Sequence, residues 1–226
     1  MAAGLEVTTY EEARRKWSKP RQEFVGVHTD FLAVSEGIFL SHFYNASIVR
    51  ETALMMPTYP SQNWKYRRDL NRAVYKRLKN GNLSVFKIEH INSVSRAVDV
   101  IHNVRNFDPR NYDIRILPPT EWFPCLNFSI FDKRSVIIGG INKARPDPDE
   151  PFMDFFGERF LPLFEKLWQR LNDAALPLST SPRLVDEIVD LLRVSCPTED
   201  ITASKLEQLV RVRTDAVLSG EYMTRY

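Results

Sequence analysis

The side chains with the most potential for chemistry lie in one stretch, CLNFSIFDKRSVIIGGIN, from Cys125 to Asn142. Cys125 offers a thiol whose deprotonated form is a nucleophile, although nothing in the surrounding sequence indicates a lowered pKa. Asn127 follows two residues later and is neutral, so it supplies no cation. Gly139-Gly140 would let the backbone approach another group closely. Positions 125 and 127 therefore combine a nucleophile with a neutral amide, and neither supplies a fixed positive charge.

A β-hairpin is predicted to position these residues. Apolar runs rich in branched side chains cover residues 126–131 and 135–141, and the polar turn Asp132-Lys133-Arg134 joins them. Upstream, helical and extended patterns alternate: the sequence predicts helices over 64–80 and 93–104 and strands over 83–90 and 111–117. This alternation predicts an α/β fold, in which helices flank a mixed β-sheet.

The remainder of the chain is predicted to be helical. Five aromatic residues recur every four positions and predict a long helix over 152–171, with a kink or break at Pro162. They are Phe152, Phe156, Phe160, Phe164 and Trp168. A linker over 176–182 and two helices over 183–194 and 203–218 follow. We therefore divide the chain into an α/β domain of residues 1–176 and a helical C-terminal appendage of residues 177–226.

Composition places the chain among ordinary globular proteins. It has 226 residues, 43% of them hydrophobic and 27% charged, with a net charge of +2 that by itself implies no polyanionic partner. Two cysteines give no disulfide framework, and no apolar run reaches membrane-spanning length, so a cytoplasmic location is the default expectation. No cofactor is expected. No metal is expected either, because the four histidines show no metal-ligand spacing. Those histidines are His28, His42, His90 and His102.

The hairpin resembles the signature of the phospholipase D superfamily, His-x-Lys-x4-Asp-x6-Gly-Ser-x-Asn. The corresponding register here is Cys125-x-Asn127-x4-Asp132-x6-Gly139-Gly140-x-Asn142, which keeps the aspartate, the first glycine and the asparagine. The nucleophilic histidine and the phosphate-binding lysine are replaced. The resemblance implies a phospholipase-D-like fold with a vestigial motif. Four side chains of the motif are expected to converge on a pocket: Cys125, Asn127, Asp132 and Asn142. The resemblance also implies a homodimer, the assembly that brings two such motifs together.

We interpret the chain as a catalytically inactive phospholipase-D-like domain, similar to sensor domains of bacterial regulators. It would act as a ligand-sensing, binding or scaffolding module in a regulatory or defence-type system, with a small anionic ligand as one candidate. Two alternatives stay open. One is an active phosphodiesterase or nuclease that works as a homodimer and uses Cys125 or a histidine contributed by another chain. The other is a DNA-binding transcriptional regulator.

The regulator alternative depends on basic side chains. Arg68, Arg72 and Lys76 form a basic stripe on the predicted helix over 64–80, with Lys65 and Lys79 at the same helical spacing. Lys205, Arg211 and Arg213 lie on the last predicted helix. The stripe is either a solvated face beside a core stripe or a face that contacts nucleic acid or a small anion.

Overall fold

The computed structural model describes residues 5–7, 24–28, 42–54, 64–118, 127–138, 152–156 and 160–220. In 5–7, 24–28, 64–71 and 152–156 the description covers the backbone. Nine strands are present in these ranges: β1 Leu5–Val7, β2 Phe24–His28, β3 Ile48–Ala53, β4 Ser84–Glu89, β5 Tyr112–Ile116, β6 Phe128–Phe131, β7 Ser135–Ile138, β8 Phe152–Phe156 and β9 Leu176–Pro177. The helices longer than one turn are α1 Trp64–Lys79, α2 Val94–Asn106, α3 Leu161–Ala174, α4 Leu184–Ser195 and α5 Ala203–Leu218.

The described strands form one mixed sheet in the order β1-β2-β8-β7-β6-β3-β4-β5-β9. β3, β4 and β5 are parallel, and α1 and α2 form the crossovers between them. β6 and β7 form the predicted hairpin, and β6 runs antiparallel to β3. The predicted fold class, an α/β fold with helices around a mixed sheet, is confirmed.

Local signals in the sequence explain where the crossover helices begin and end. At the end of α1, Gly81 adopts a φ of +69° and its amide bonds to the carbonyl of Leu78, while the amide of Asn82 bonds to the carbonyl of Arg77. This is the glycine-dependent arrangement that terminates many helices. At the start of α2, the Ser93 hydroxyl accepts a hydrogen bond from the Arg96 amide at 3.2 Å.

Helices cover both faces of the sheet. On one face, α1 and α2 pack against the parallel strands, and α4 and α5 pack in turn against α2. Two apolar side chains of α1 are buried here, Val74 and Leu78, which are 0% and 3% exposed. On the other face, α3 buries Phe164, Trp168 and Leu171 against β6, β7 and the neighbouring strands.

The single helix predicted over 152–171 is wrong. Residues Phe152–Phe156 form strand β8, which pairs with β2 and β7, and a separate helix, α3, begins at Leu161. A spacing of four fits a helical face, but four is also twice the strand period of two, so the aromatic pattern did not discriminate. Pro162 causes no kink, because it lies in the first turn of α3, where its missing amide hydrogen has no helical partner to lose.

The C-terminal helices form as predicted, and they share a core with the sheet. Buried side chains of α4 and α5, including Ile188, Leu192 and Leu206, belong to the same hydrophobic cluster as Ile101 of α2 and Ile114 of β5. The expected division at 176/177 falls inside β9, which pairs with β5. In the described part of the chain the appendage therefore has no core of its own, and its status as a separate folding unit stays a prediction.

None of the helices described here is long and apolar enough to cross a lipid bilayer.

Candidate functional site

The C-terminal edge of the parallel strands is where an α/β sheet usually binds ligands, because loops diverge there. The chain leaves this edge after β3, β4 and β5, and at the end of the antiparallel strand β7. Asn127 lies at the same edge, directly before β6. Its side-chain oxygen accepts a hydrogen bond from the backbone amide of Leu54 at 2.9 Å. The residue at the motif's lysine position is thus a neutral amide that joins β6 to the end of β3.

Asp132 lies at the opposite end of β6, beside the start of β3. It lies five positions after Asn127 along β6, which corresponds to about 17 Å of extended chain. The Asp132 carboxylate accepts hydrogen bonds from the backbone amides of Ser47 and Ile48 at 2.8 Å and 2.7 Å. The expected convergence of Asp132 and Asn127 on one pocket is therefore wrong: the aspartate attaches the hairpin turn to the start of β3.

The other residues predicted from the motif cannot be placed in the same way. Cys125, Gly139 and Asn142 lie outside the described residues. On α1, the side chain of Arg68 also lies outside them, whereas Arg72 and Lys76 are exposed on the helix surface. The expectation that the motif has no catalytic residues therefore stays a prediction.

Buried charges lie on the sheet face beneath α2. Glu89 at the end of β4 is fully buried and accepts two hydrogen bonds from the Arg96 guanidinium, one of them from Nε at 2.6 Å. Lys87 Nζ lies 3.4 Å from the same carboxylate. Burial alone would lower the pKa of Arg96, but the charge and hydrogen bonds of Glu89 raise it overall. This cluster fixes the first turn of α2 to the C-terminal edge of the sheet.

Glu51 extends this cluster towards the hairpin. It is in register with Lys87 on β4 and with Ser129 on β6, so the three residues share one sheet face. Glu51 Oε2 is buried, and no described residue donates a hydrogen bond to it. Asn127 is two residues from Ser129, at a diagonal position about 7–8 Å from Glu51. A buried carboxylate oxygen without a donor is an acceptor suited to a ligand hydroxyl, an amine or a water molecule.

His90 lies at the same edge, directly after β4. Its Nδ1 is 2.8 Å from the carbonyl oxygen of Leu117. Because a carbonyl oxygen only accepts, Nδ1 carries the proton in this contact and Nε2 of the neutral ring is left as an acceptor. The structure therefore gives His90 a defined tautomer beside the end of β5.

Sequence reasoning missed Lys87, Arg96 and Glu51 as members of the site. A signal was present, because strands of a parallel sheet are normally continuous apolar runs. In β4, SVFKIE, two charged residues alternate with apolar ones, and both charges are buried. Buried charges need partners, which points to Arg96 on the following helix.

No group of three histidine, cysteine, aspartate or glutamate residues within the described ranges is arranged to hold a metal ion. The site combines a neutral amide at 127, a buried ion-pair cluster and an unsatisfied carboxylate oxygen. It therefore offers acceptors to a ligand more readily than it offers an unpaired cation.

No family model matches the chain. No curated protein matches it by sequence. Solved structures do resemble it. Phosphatidylserine synthase from Haemophilus influenzae Rd KW20 aligns with a TM-score of 0.54 and 12% identity, over 90% of this chain and 48% of the synthase. Nuc from Salmonella typhimurium, a phospholipase D family member, aligns with a TM-score of 0.47 and 16% identity over 69% of this chain and 97% of Nuc.

The archaeal chromatin protein TrmBL2 aligns with a TM-score of 0.49 and 16% identity, over 73% of this chain and 58% of TrmBL2. The chain thus spans about half to three fifths of the two larger proteins. Identities this low concern fold alone. The structure thus shares an α/β fold with the synthase, and in this chain a hairpin continues a set of parallel strands.

Proposed function

We propose that this chain is a non-catalytic phospholipase-D-like domain that binds a ligand at the C-terminal edge of its parallel strands, within a regulatory or defence-type system. The observation that carries the proposal is the state of Asn127. At the position where the motif places a phosphate-binding lysine, its amide is neutral and its oxygen is occupied by the Leu54 amide. A phosphodiester in the transition state needs fixed positive charge at that point.

The neighbouring cations do not replace the missing lysine. Arg96 and Lys87 are both buried and both paired with Glu89. Breaking such a pair leaves a buried carboxylate uncompensated, which costs about 3–5 kcal/mol. Because these cations are neutralised by Glu89, they would stabilise a phosphoryl transition state only weakly. This supports a site that keeps the fold but not the catalytic charge.

Hydrolysis assays test the catalytic half of the proposal. Purified protein is incubated with bis(p-nitrophenyl) phosphate and with fluorescently labelled single-stranded DNA, beside the Cys125→Ala variant. We expect equal rates, at the level of the buffer blank, for both proteins. Turnover by the natural chain that disappears in Cys125→Ala would overturn the proposal in favour of an active phosphodiesterase or nuclease.

Restoring the lysine tests the electrostatic argument. Thermal unfolding is measured with dimethyl phosphate added to the natural chain, to Asn127→Lys and to the matched control Asn127→Ala. The added cation is expected to create a concentration-dependent rise in Tm that the other two proteins lack. A rise of the same size in all three would show that position 127 does not control anion binding.

The homodimer remains a proposal as well. Size-exclusion chromatography with light scattering would measure it directly, with a mass of twice 26.3 kDa expected for the dimer.

A further inference from the structure

Helix α1 is rich in positive charge, and it lies outside the candidate site described above. Over its 16 residues, WKYRRDLNRAVYKRLK, the helix has seven lysine or arginine residues and one aspartate, a net charge of +6. The whole chain carries only +2. The remainder of the protein therefore has a net charge of −4, so α1 is far more basic than the rest of the chain taken together.

Helical geometry places five of these positions along one side of the α1 backbone. We define the α1 basic face as Lys65, Arg68, Arg72, Lys76 and Lys79, which recur at intervals of three and four residues. The face is about 21 Å long, because a helix rises 1.5 Å per residue. Val74 and Leu78 occupy the opposite side of α1 and are buried in the core, so the described part of the basic face points away from the sheet.

The described members of the face keep their charge available. Arg72 and Lys76 are exposed, and neither forms a salt bridge with a described residue. Lys79 is also exposed; it donates to the carbonyl of Asn106 at 2.7 Å, a contact that leaves its positive charge uncompensated. Arg77 is different, since its guanidinium bonds to the carbonyls of Phe43 and Asn82 and holds the end of the helix.

We infer that the α1 basic face binds the sugar–phosphate backbone of nucleic acid, without reading its sequence. One strand of B-DNA presents a phosphate about every 3.4 Å along its axis, so a 21 Å line of cations spans about six phosphates. An anionic membrane fits less well. Helices that lie in a membrane interface insert an apolar face. The described apolar side chains of α1, Val74 and Leu78, are already buried in the protein core.

Salt-dependent fluorescence anisotropy with a labelled 30-base-pair duplex of random sequence tests the inference. With three to five phosphate contacts, raising NaCl from 50 to 200 mM should weaken binding roughly 40- to 500-fold. The double variant Arg72→Glu/Lys76→Glu should lower affinity at 50 mM salt by at least about tenfold and reduce the salt slope by about two.

The matched control is Lys205→Glu/Arg211→Glu, which makes the same change in net charge on exposed positions of α5. We expect the control to bind like the natural chain. Absence of binding by the natural chain at 50 mM salt would overturn the inference. Equal losses in both double variants, or a loss confined to the α5 variant, would also overturn it.

Two further measurements complete the experiment. Arg72→Gln/Lys76→Gln, with circular dichroism of every variant, separates lost contacts from lost folding, and it should show an intermediate loss of affinity. Vesicles containing phosphatidylserine serve as the competing polyanion. Binding to vesicles but not to DNA, abolished by the α1 variant, would replace nucleic acid with a lipid surface. Because no phosphodiester cleavage is measured, these outcomes are independent of those for the hairpin site.

Discussion

Removing the Asp132 carboxylate should destabilise the fold and leave the candidate site unchanged. Both oxygens of this side chain accept hydrogen bonds from backbone amides at the start of β3: Oδ1 from Ser47 and Ile48, and Oδ2 from Ser47 at 3.1 Å. In Asp132→Ala, the two amides lose their acceptor at the junction between the hairpin turn and the parallel sheet. The residue also has a φ of +48°, where alanine is strained.

The expected loss can be worked out from these contacts. Hydrogen bonds to a charged group contribute about 1.5–3 kcal/mol each when buried. Asp132 is only half-buried, so water can replace part of each bond, and about 1 kcal/mol per amide is the appropriate figure. Adding the backbone strain of alanine gives a total of about 2–3 kcal/mol. For a chain of this size, that loss lowers Tm by about 5–10 °C.

Urea denaturation and thermal unfolding measure the effect, with Asp190→Ala as the control. Asp190 pairs with Arg193 at 2.9 Å on the exposed surface of α4, and such pairs contribute less than about 0.5 kcal/mol. Asp132→Asn, which keeps one acceptor oxygen, should fall between the two. An Asp132→Ala protein as stable as the Asp190→Ala control would refute the structural role that we assign to the motif aspartate.

Three further perturbations follow from the geometry. Lys133 has a φ of +55° and its contact with Glu165 is an exposed pair at 3.8 Å, so Lys133→Gly should raise stability by about 0.5–1 kcal/mol in urea denaturation; a loss would show that the turn is unstrained. Arg96→Met leaves the buried Glu89 carboxylate without its principal partner and should cost about 3–5 kcal/mol, and a cost below 1 kcal/mol would contradict this. His102 has its pKa lowered from 6.5 to about 4, by burial and then by two nearby cations. Since the unfolded chain takes up a proton that the folded chain resists, stability should be full above about pH 6.5 and fall by roughly 3 kcal/mol towards pH 4. His102→Gln should flatten this pH profile, which urea midpoints at several pH values would measure.

Much of the fold is predictable because its signals are local. The termination of α1 by Gly81, the capping of α2 by Ser93 and the hairpin around Asp132 each depend on a few adjacent residues. The aromatic repeat over 152–171 failed for a physical reason. Its spacing satisfies helix and strand equally, and only pairing with β2 and β7, which are distant in sequence, decides in favour of a strand for its first part.

The site was less predictable than the fold. A linear motif gives the order of residues, but a strand carries its two ends to opposite edges of the sheet, so Asn127 and Asp132 separate despite their short spacing. Conversely, Glu51, Lys87 and Arg96 are spread over 46 residues and meet only through strand register and helix packing. The hydrophobic pattern did contain a hint, since two charged residues interrupt a strand that is otherwise apolar.

The docking of α5 on α2 sets the order of events when the chain is made. Arg213 bonds to Asp99 across 114 residues, and Thr214 lies 3.0 Å from His102. The outer side of α2 therefore lacks this cover until α5 has left the ribosome. The chain from the end of α2 to the end of α5 is 112 residues long. At about 5–20 residues per second its synthesis takes about 6–22 s, and during this time the unfinished chain exposes apolar surface to chaperones and to other nascent chains on the same messenger RNA.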